Sequence, residues 1–521
     1  MKNSQLKAGV LLSYTQMFAK VIIGLLYTPI MIKCLGQSEY GLYSTVASTI
    51  SMLSLLNLGF NSGYIRYYAK YKVDKDEKRI SGLNGLFLLI FSVIGVVALC
   101  CGLFLSFNLK YIFDSGLTYS QYGTARTLSI LFTVNLALSF PMSVFSNIIN
   151  AHERFVFLKA VGMIKTVLTP LASLPVLFLG FKSIALVVVT LVLSLIADIF
   201  YIYYVLFKLK CKFSFKNIEA KVFKGLFGYT LFIAINLVID QINWNVDKLV
   251  LTRYRGTIET AIYSVGYSLY SYYENFSTSI AGVFTPRIHK LVNQNKDDKL
   301  QQRKVLTEIF TKVGRIQFAL LALIASGLIF FGKPFITDFW AGEEYNNSYA
   351  VVLLLALPAS IALIQNVGIE IQRAQNKHQF RSIAYLIMAI CNLVISIILC
   401  KKYGAAGCAF GTAISLIVAN GIIMNIYYHK QCNLDVLFFW KNIISMFKGL
   451  IIPIIVGVAI NKVLDLSTIF GFVMGIIIYV IIYAISFWLF SLNDYEKNLV
   501  LSVFERLFKK KLRKNNNDQY N

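Results

Sequence analysis

Asn236, Asp240, Asn243 and Asp247 recur at spacings of four, three and four residues, so on a helix they share one face of an otherwise apolar run. Trp244 and Lys248 flank that stripe. A second stripe follows at Tyr263, Tyr267, Tyr270, Glu274 and Ser277, again at fours and threes. Nearer the start, Ser13, Gln16, Lys20, Gly24 and Tyr27 share a face, and Ser44, Ser48 and Ser51 lead toward Arg66. Lys165 interrupts another apolar run, and Asn366, Glu370 and Arg373 another. Ionisable groups are costly in such surroundings and usually face a cavity, so each is a functional candidate. The cations Lys20, Arg66, Lys165 and Lys248 suit an anionic ligand: Arg as a planar fork on oxyanions, Lys as a point charge. Asp240, Asp247, Glu274 and Glu370 suit a coupling cation, or ion pairs that break during a conformational change.

Blander readings stand beside these. Arg66, Arg126 and Arg373 lie near the ends of apolar runs, where they can snorkel to an interface. Lys20 and Lys165 lie deeper. Asp247 next to Lys248 reads equally as a structural ion pair, and Asp198 reads as structural. Part of the tyrosine content is an interfacial belt. Pro29, Pro141, Pro170, Pro175 and Pro358 serve as bending points or as static kinks. The eight cysteines contain no CxxC pair and no Cys/His cluster, and most sit in apolar runs as small hydrophobes. No residue set reads as a catalytic or metal centre.

The elements that must position these groups are transmembrane helices. Hydrophobic residues make up 57% of the 521-residue chain, charged residues 14%, and the mean hydropathy is +0.65. A soluble domain carries about 25% charged residues, and a spanning helix needs roughly 20 apolar ones. Such runs are expected at about 8–32, 42–66, 82–107, 121–149, 155–179, 183–207, 223–252, 258–286, 313–332, 348–372, 380–400, 405–429, 445–464 and 469–491. The net charge of +25 suggests nucleic-acid binding until its placement is considered. With the N-terminus inside, alternate loops hold 37 Lys and Arg on the inner side against 9 on the outer. That is the positive-inside pattern, with both termini cytoplasmic. The first run is too long for a signal peptide and lacks a cleavage site.

The chain also repeats itself. Gly36/Gly256, Glu39/Glu259, Tyr43/Tyr263 and Ser44/Ser264 match at an offset of 220, and Gly180/Gly404, Ala185/Ala409, Tyr203/Tyr427 and Tyr204/Tyr428 at 224. The offset spans six helices, so the repeat is parallel, with an axis along the membrane normal. The expected organisation is an all-α integral membrane fold: an N-terminal lobe (1–210), a C-terminal lobe (211–432), two extra helices (433–493) and a basic interfacial tail (494–521). The tail sets Leu499, Val503, Leu507 and Phe508 against Lys509, Lys510, Lys511, Arg513 and Lys514, a pattern suited to anionic lipid.

The runs "TPIMIKCLGQSEYGLYS" (Thr28–Ser44) and "LNLGFNSGYIRYYAK" (Leu56–Lys70) resemble the opening of bacterial polysaccharide-repeat flippases (O-antigen/capsule, Wzx-type). These belong to the multidrug/oligosaccharidyl-lipid/polysaccharide exporter superfamily. "NWNVDKLVLTRYRG" followed by "AIYSVGYSLY" (Asn243–Tyr270) resembles the same family's seventh-to-eighth helix segment. The resemblance implies translocation of an undecaprenyl-pyrophosphate-linked oligosaccharide from the cytoplasmic to the outer leaflet, feeding a capsule, O-antigen or similar polymer. It implies alternating access of two lobes, with helices one, two, seven and eight lining a central cleft. Lys20, Arg66, Lys165 and Lys248 would then meet the pyrophosphate. Trp244, Tyr263, Tyr267 and Tyr270, with Asn236 and Asn243, would meet sugar rings and hydroxyls. The expected partners are the lipid-linked oligosaccharide, membrane lipids and a polysaccharide polymerase, with no nucleic acid and no cofactor beyond a coupling ion, Na+ or H+. A lipid II flippase and a cation-coupled multidrug antiporter are the nearest rivals. An enzyme would want a larger outer loop than 333–347 with an acid/base pair.

Overall fold

The computed structural model describes residues 2–216, 234–295 and 297–502. Among the described residues the structure is helical and contains no strand. Ten helices among the described residues are long and apolar enough to cross a bilayer, eleven when a pair bent by 41° counts as one span. In chain order the helices are α1 (Lys2–Leu35), α2 (Gln37–Ser51), α3 (Phe60–Val73), α4 (Glu77–Phe107), α5 (Leu109–Phe113), α6 (Tyr119–Ala151), α7 (Phe155–Phe178) and α8 (Ser183–Tyr203). After residues 234–241 and a π turn come α9 (Asp247–Arg255), α10 (Thr257–Gln294), α11 (Lys299–Pro334) and the bent pair α12 (Ser348–Leu363) and α13 (Asn366–Ala374). Then follow α14 (Gln379–Leu416), α15 (Met424–Lys430), α16 (Val436–Ser445), α17 (Ile451–Val463) and α18 (Ile469–Phe490). The first part of the expected span 223–252 lies outside the described residues, as does the tail beyond residue 502; residues 494–502 are helical.

Two departures from simple spans matter for the site. The expected helix over 42–66 is broken: α2 tightens into a 3-10 turn at Met52–Asn57, and Leu58 (φ 47°) and Gly59 (φ 73°) then adopt left-handed backbone before α3 begins. A left-handed Leu costs on the order of 1–2 kcal/mol, and irregular backbone at membrane depth persists only where protein or a water-filled cavity satisfies it. Conversely, α14 is two arms. It reverses at Gly404 (φ 57°, ψ −133°), and Ser396 Oγ donates to the Cys408 carbonyl across the turn at 3.4 Å.

The sequence repeat reappears as backbone conformation. Gly36 and Gly256 share positive φ (77° and 87°), as do Gly180 and Gly404 (83° and 57°). A further pairing joins Glu153 (φ 60°) to Asn376 (φ 56°), and Lys210 (φ 52°) to Asn433 (φ 56°), each at an offset of 223. Non-glycine residues enter this region rarely, so the matched turns are built alike in both halves.

The chain divides into two compact units. One comprises 1–272, 340–355 and 379–415. In it α4 meets α6 through small residues, as expected where lipid removes any hydrophobic drive between helices. A Cβ on Gly95 would fall on the Ala137 carbonyl and one on Gly102 on the Thr133 side chain, and the Ser106 and Ser129 hydroxyls bond at 2.7 Å. Tyr64, Phe87, Phe91 and Ile148 form a buried core below, with Tyr64 donating to Asn84 Oδ1 at 2.8 Å. Just past α6, His152 Nε2 pairs with the Tyr68 hydroxyl at 3.0 Å.

The other unit comprises 273–339, 356–378 and 416–521. Its α11 carries Arg315, whose guanidinium is 5% exposed and grips Glu496 (4% exposed) with two bonds of 2.6 and 2.9 Å. The same guanidinium donates to the carbonyls of Ser491 and Asn442. That fork ties α11 to α16, to the end of α18 and to the start of the tail.

Candidate functional site

Twelve of the fourteen residues singled out in the sequence lie in the first unit; Glu274 and Glu370 lie in the second. The structure gathers a subset around α9 and α10. The Trp244 ring stacks on Tyr270 (5.3 Å, 28°) and lies 5.8 Å from Tyr267, while Tyr263 and Tyr267 run nearly coplanar at 6.4 Å. The Lys248 ammonium sits 5.0 Å above the Tyr267 ring. Tyr263 and Tyr270 are buried, whereas Trp244, Tyr267 and Lys248 are partly exposed. Spacing of four and three on α10 puts the tyrosines on one face, and the turn at Gly256 folds that face against α9.

Asp247 is 1% exposed, and Lys248 does not neutralise it. Its Oδ2 accepts from the Tyr263 hydroxyl at 2.8 Å and from Thr412 Oγ1 at 3.0 Å. Adjacent helical residues point about 100° apart, so a sequence neighbour is poorly placed to pair. The ion-pair reading of Asp247 and Lys248 therefore gives way to a hydroxyl clamp. Behind it, Asn392 Nδ2 donates to Thr412 Oγ1 (3.3 Å) and to Asn243 Oδ1 (3.5 Å), and Ser396 Oγ donates to Asn392 Oδ1 (3.2 Å). Asn392, Ser396 and Thr412 are each 2% exposed or less. One carboxylate, hydroxyls and amide oxygens make a hard, oxygen-only donor set, which suits a monovalent cation or a proton. Among the described residues no group of three or more His, Cys, Asp or Glu could hold a metal ion.

The four-three-four stripe is thus a seam with α14: Asn236 Oδ1 accepts from Ser382 Oγ (3.2 Å), Asn243 meets Asn392, and Asp247 meets Thr412. Asp240 is exposed, with the charge of Arg381 near it. The π turn at Ile242–Val246 sits in the middle of this seam. Such widened turns add a residue to the helix and recur at functional sites. Asn392/Ser396 and Cys408/Thr412 were overlooked in the sequence, although each pair is four residues apart in an apolar run.

The remaining candidates do not join this cluster. Lys20 is exposed on α1 between Gln16, which donates to Thr166 of α7 at 3.4 Å, and Gly24, which packs under the Tyr272 hydroxyl. Lys165 on α7 is partly buried, and its charge reaches Asp198 on α8. Arg66 is exposed on α3, just past the break. Glu370 pairs with Arg373 at 2.7 Å within α13. Glu274 is partly buried on α10.

At the end of the unit where α1 turns into α2, the two repeat halves meet. Thr45 Oγ1 lies 2.6 Å from Thr252 Oγ1, which lies 2.7 Å from Thr260 Oγ1. Gln121 Nε2 donates to both Ser38 and Thr257. Gly41 allows the approach, since a Cβ there would fall on the Thr257 carbonyl. Glu39 accepts from Ser183 N (3.0 Å) and Ser183 Oγ (2.7 Å), and Glu259 accepts from Ala405 N (2.8 Å).

Known proteins resemble the chain in sequence and in fold. A family model described as "Polysaccharide biosynthesis protein" matches residues 6–292. The capsular polysaccharide biosynthesis protein CapF of Staphylococcus aureus is 27% identical over 223 residues, 42% of this chain and 53% of CapF. The match therefore spans about half the length of that relative. An uncharacterized membrane protein of Methanocaldococcus jannaschii is 22% identical over 386 residues, 72% of this chain and 74% of its own. The lipid II flippase MurJ, in an inward closed conformation, superposes with a TM-score of 0.67 at 17% identity, covering 94% of this chain and all of MurJ. An inward-facing multidrug resistance MATE family transporter of the MOP superfamily gives 0.60 at 13% identity, covering 80% and 99%. The fold is that of these transporters.

Proposed function

Because the chain belongs to the polysaccharide biosynthesis protein family, we propose that it flips an undecaprenyl-pyrophosphate-linked oligosaccharide repeat unit from the cytoplasmic to the outer leaflet of a bacterial cytoplasmic membrane. The observation that carries this reading is the pairing of one cation with an aromatic platform: Lys248 over Tyr267, beside Trp244 and Tyr270. Aromatic faces suit sugar rings, and their polar edges suit hydroxyls. A partly desolvated ammonium beside them suits a phosphate. Lys20, Lys165 and Arg66 would add charge along the substrate's path, and the polar network around Asp247 would take the coupling ion, Na+ or H+. The product would feed a capsule, O-antigen or similar polymer through a polymerase. The transporter fold of its neighbours supports alternating access as the mechanism.

The test is lipid-linked repeat-unit exposure in a strain lacking the protein, complemented with wild type, Lys20→Ala or Lys248→Ala. Wild type should restore surface polymer, and Lys248→Ala should insert normally yet leave repeat units on the cytoplasmic leaflet. Repeat units that still reach the outer leaflet in the deletion strain, with no redundant flippase present, would overturn the substrate assignment.

A further inference from the structure

The second unit holds a cavity of about 690 Å³ that the reading above does not use. It is lined by the end of α10, the start of α11 with Lys299 and Arg303, the α13–α14 turn with Gln375 and Lys377, and the end of α15 and the turn after it with Lys430 and Asn433. None of the lining residues is acidic. Arg303 is partly neutralised by Asp435 at 3.7 Å, and Lys377 Nζ donates to the Gln431 carbonyl. Lys299 and Lys430 are exposed, and no carboxylate lies in salt-bridge contact with either among the described residues.

The walls are cross-tied rather than loose. Asn433 Nδ2 donates to the Lys299 carbonyl (3.0 Å), Gln375 Nε2 to the Cys432 carbonyl (3.3 Å), and the Tyr427 hydroxyl to the Lys377 carbonyl (3.0 Å). Asn376 and Asn433 supply the left-handed corners (φ 56° each). Gln375 Oε1 is sealed inside these walls, out of reach of the cavity.

We infer that this cavity binds the phosphate head of an anionic phospholipid, held by Lys299 and Lys430. The helix ends around it belong to the face with the basic loops, where a leaflet of anionic lipid would lie. The site shares no residue with the Asp247–Lys248 cluster, so it stands or falls independently of the substrate proposed above.

The probe is phosphatidylglycerol, whose head carries one uncompensated phosphodiester charge, with zwitterionic phosphatidylcholine as control. Native mass spectrometry of the full-length protein should show phosphatidylglycerol retained by wild type and by Lys299→Arg/Lys430→Arg. Each lysine near an anionic leaflet contributes about fivefold in affinity, so Lys299→Gln/Lys430→Gln should bind roughly 25-fold more weakly while melting with wild type. Soluble glycerol phosphate is the second arm: displacement of the lipid assigns the site to the phosphate group wherever it comes from, and no displacement assigns it to the intact lipid. Equal retention of phosphatidylglycerol by wild type and the glutamine variant, or equal retention of phosphatidylcholine, would overturn the inference.

Discussion

Glu39 and Glu259 stand 220 residues apart and play the same part, each accepting from the main-chain N–H that opens a later helical arm, Ser183 N at 3.0 Å and Ala405 N at 2.8 Å. A carboxylate at a helix N-terminus meets orphan N–H groups and the positive end of the helix dipole together. The cations beside them, Lys182 at 3.5 Å and Arg255 at 3.9 Å, are exposed and add little. A lost hydrogen bond to a charged group costs about 1.5–3 kcal/mol. Glu39→Ala and Glu259→Ala should each lower the thermal midpoint of the purified protein, and the double variant should approach their sum. Melting that coincides with wild type would show that neither glutamate secures its turn.

Asp247→Asn removes the one carboxylate of the buried network while leaving an amide of the same shape to meet Tyr263 and Thr412. A ligand present at a hundred times its dissociation constant stabilises by about 2.7 kcal/mol. Wild type should therefore melt higher in sodium than in a bulky organic cation, or, if the proton is the coupling ion, show pH-dependent flipping in vesicles. Asp247→Asn should lose whichever response wild type has. A variant that keeps it would place the ion elsewhere.

The fork between Arg315 and Glu496 makes the second unit depend on the start of its tail. Removing one partner of a buried pair leaves an uncompensated charge, at a cost of about 3–5 kcal/mol. Glu496→Ala should thus reduce folded yield and thermal stability sharply. Replacing both partners with apolar residues should recover part of the loss. If Glu496→Ala melts like wild type, the fork contributes little to stability.

His152 gives a pH signature outside the spans. Burial holds its imidazole below the ordinary value of 6.5; the Lys72 and Arg154 charges act in the same sense, and the hydrogen bond to the Ile148 carbonyl opposes them. The unfolded chain therefore binds the proton more readily than the folded one. The contribution is complete above about 6.5 and is lost as pH falls below that value. Thermal stability should decline below about pH 6.5 in wild type. His152→Gln should flatten that part of the profile, and an unchanged profile would remove His152 as its source.

Much of the fold was legible because bilayer-spanning helices announce themselves by length and apolarity, and because Gly36, Gly180, Gly256 and Gly404 mark turns that tolerate positive φ. The aromatic group with Lys248 was legible for a similar reason, since its members lie on two helices joined by the turn at Gly256 and follow a regular spacing. The other half of the clamp on Asp247, Thr412 with Asn392 and Ser396 behind it, was not. These residues come from α14, more than a hundred residues away, and are uncharged and inconspicuous in an apolar run. Neither was the break at Leu58 nor the π turn at Ile242–Val246, because reading faces from spacing assumes an unbroken 3.6-residue period.

The hydroxyl ladder of Thr45, Thr252 and Thr260 carries no formal charge. Each rung both gives and takes a proton, so the row can reverse its polarity by rotating hydroxyls while every heavy atom stays in place. Parting it exchanges neutral hydrogen bonds for water and strands no ion, so opening this seam moves no formal charge. Voltage or salt dependence in the working cycle then originates in charges elsewhere, on side chains, substrate or coupling ion.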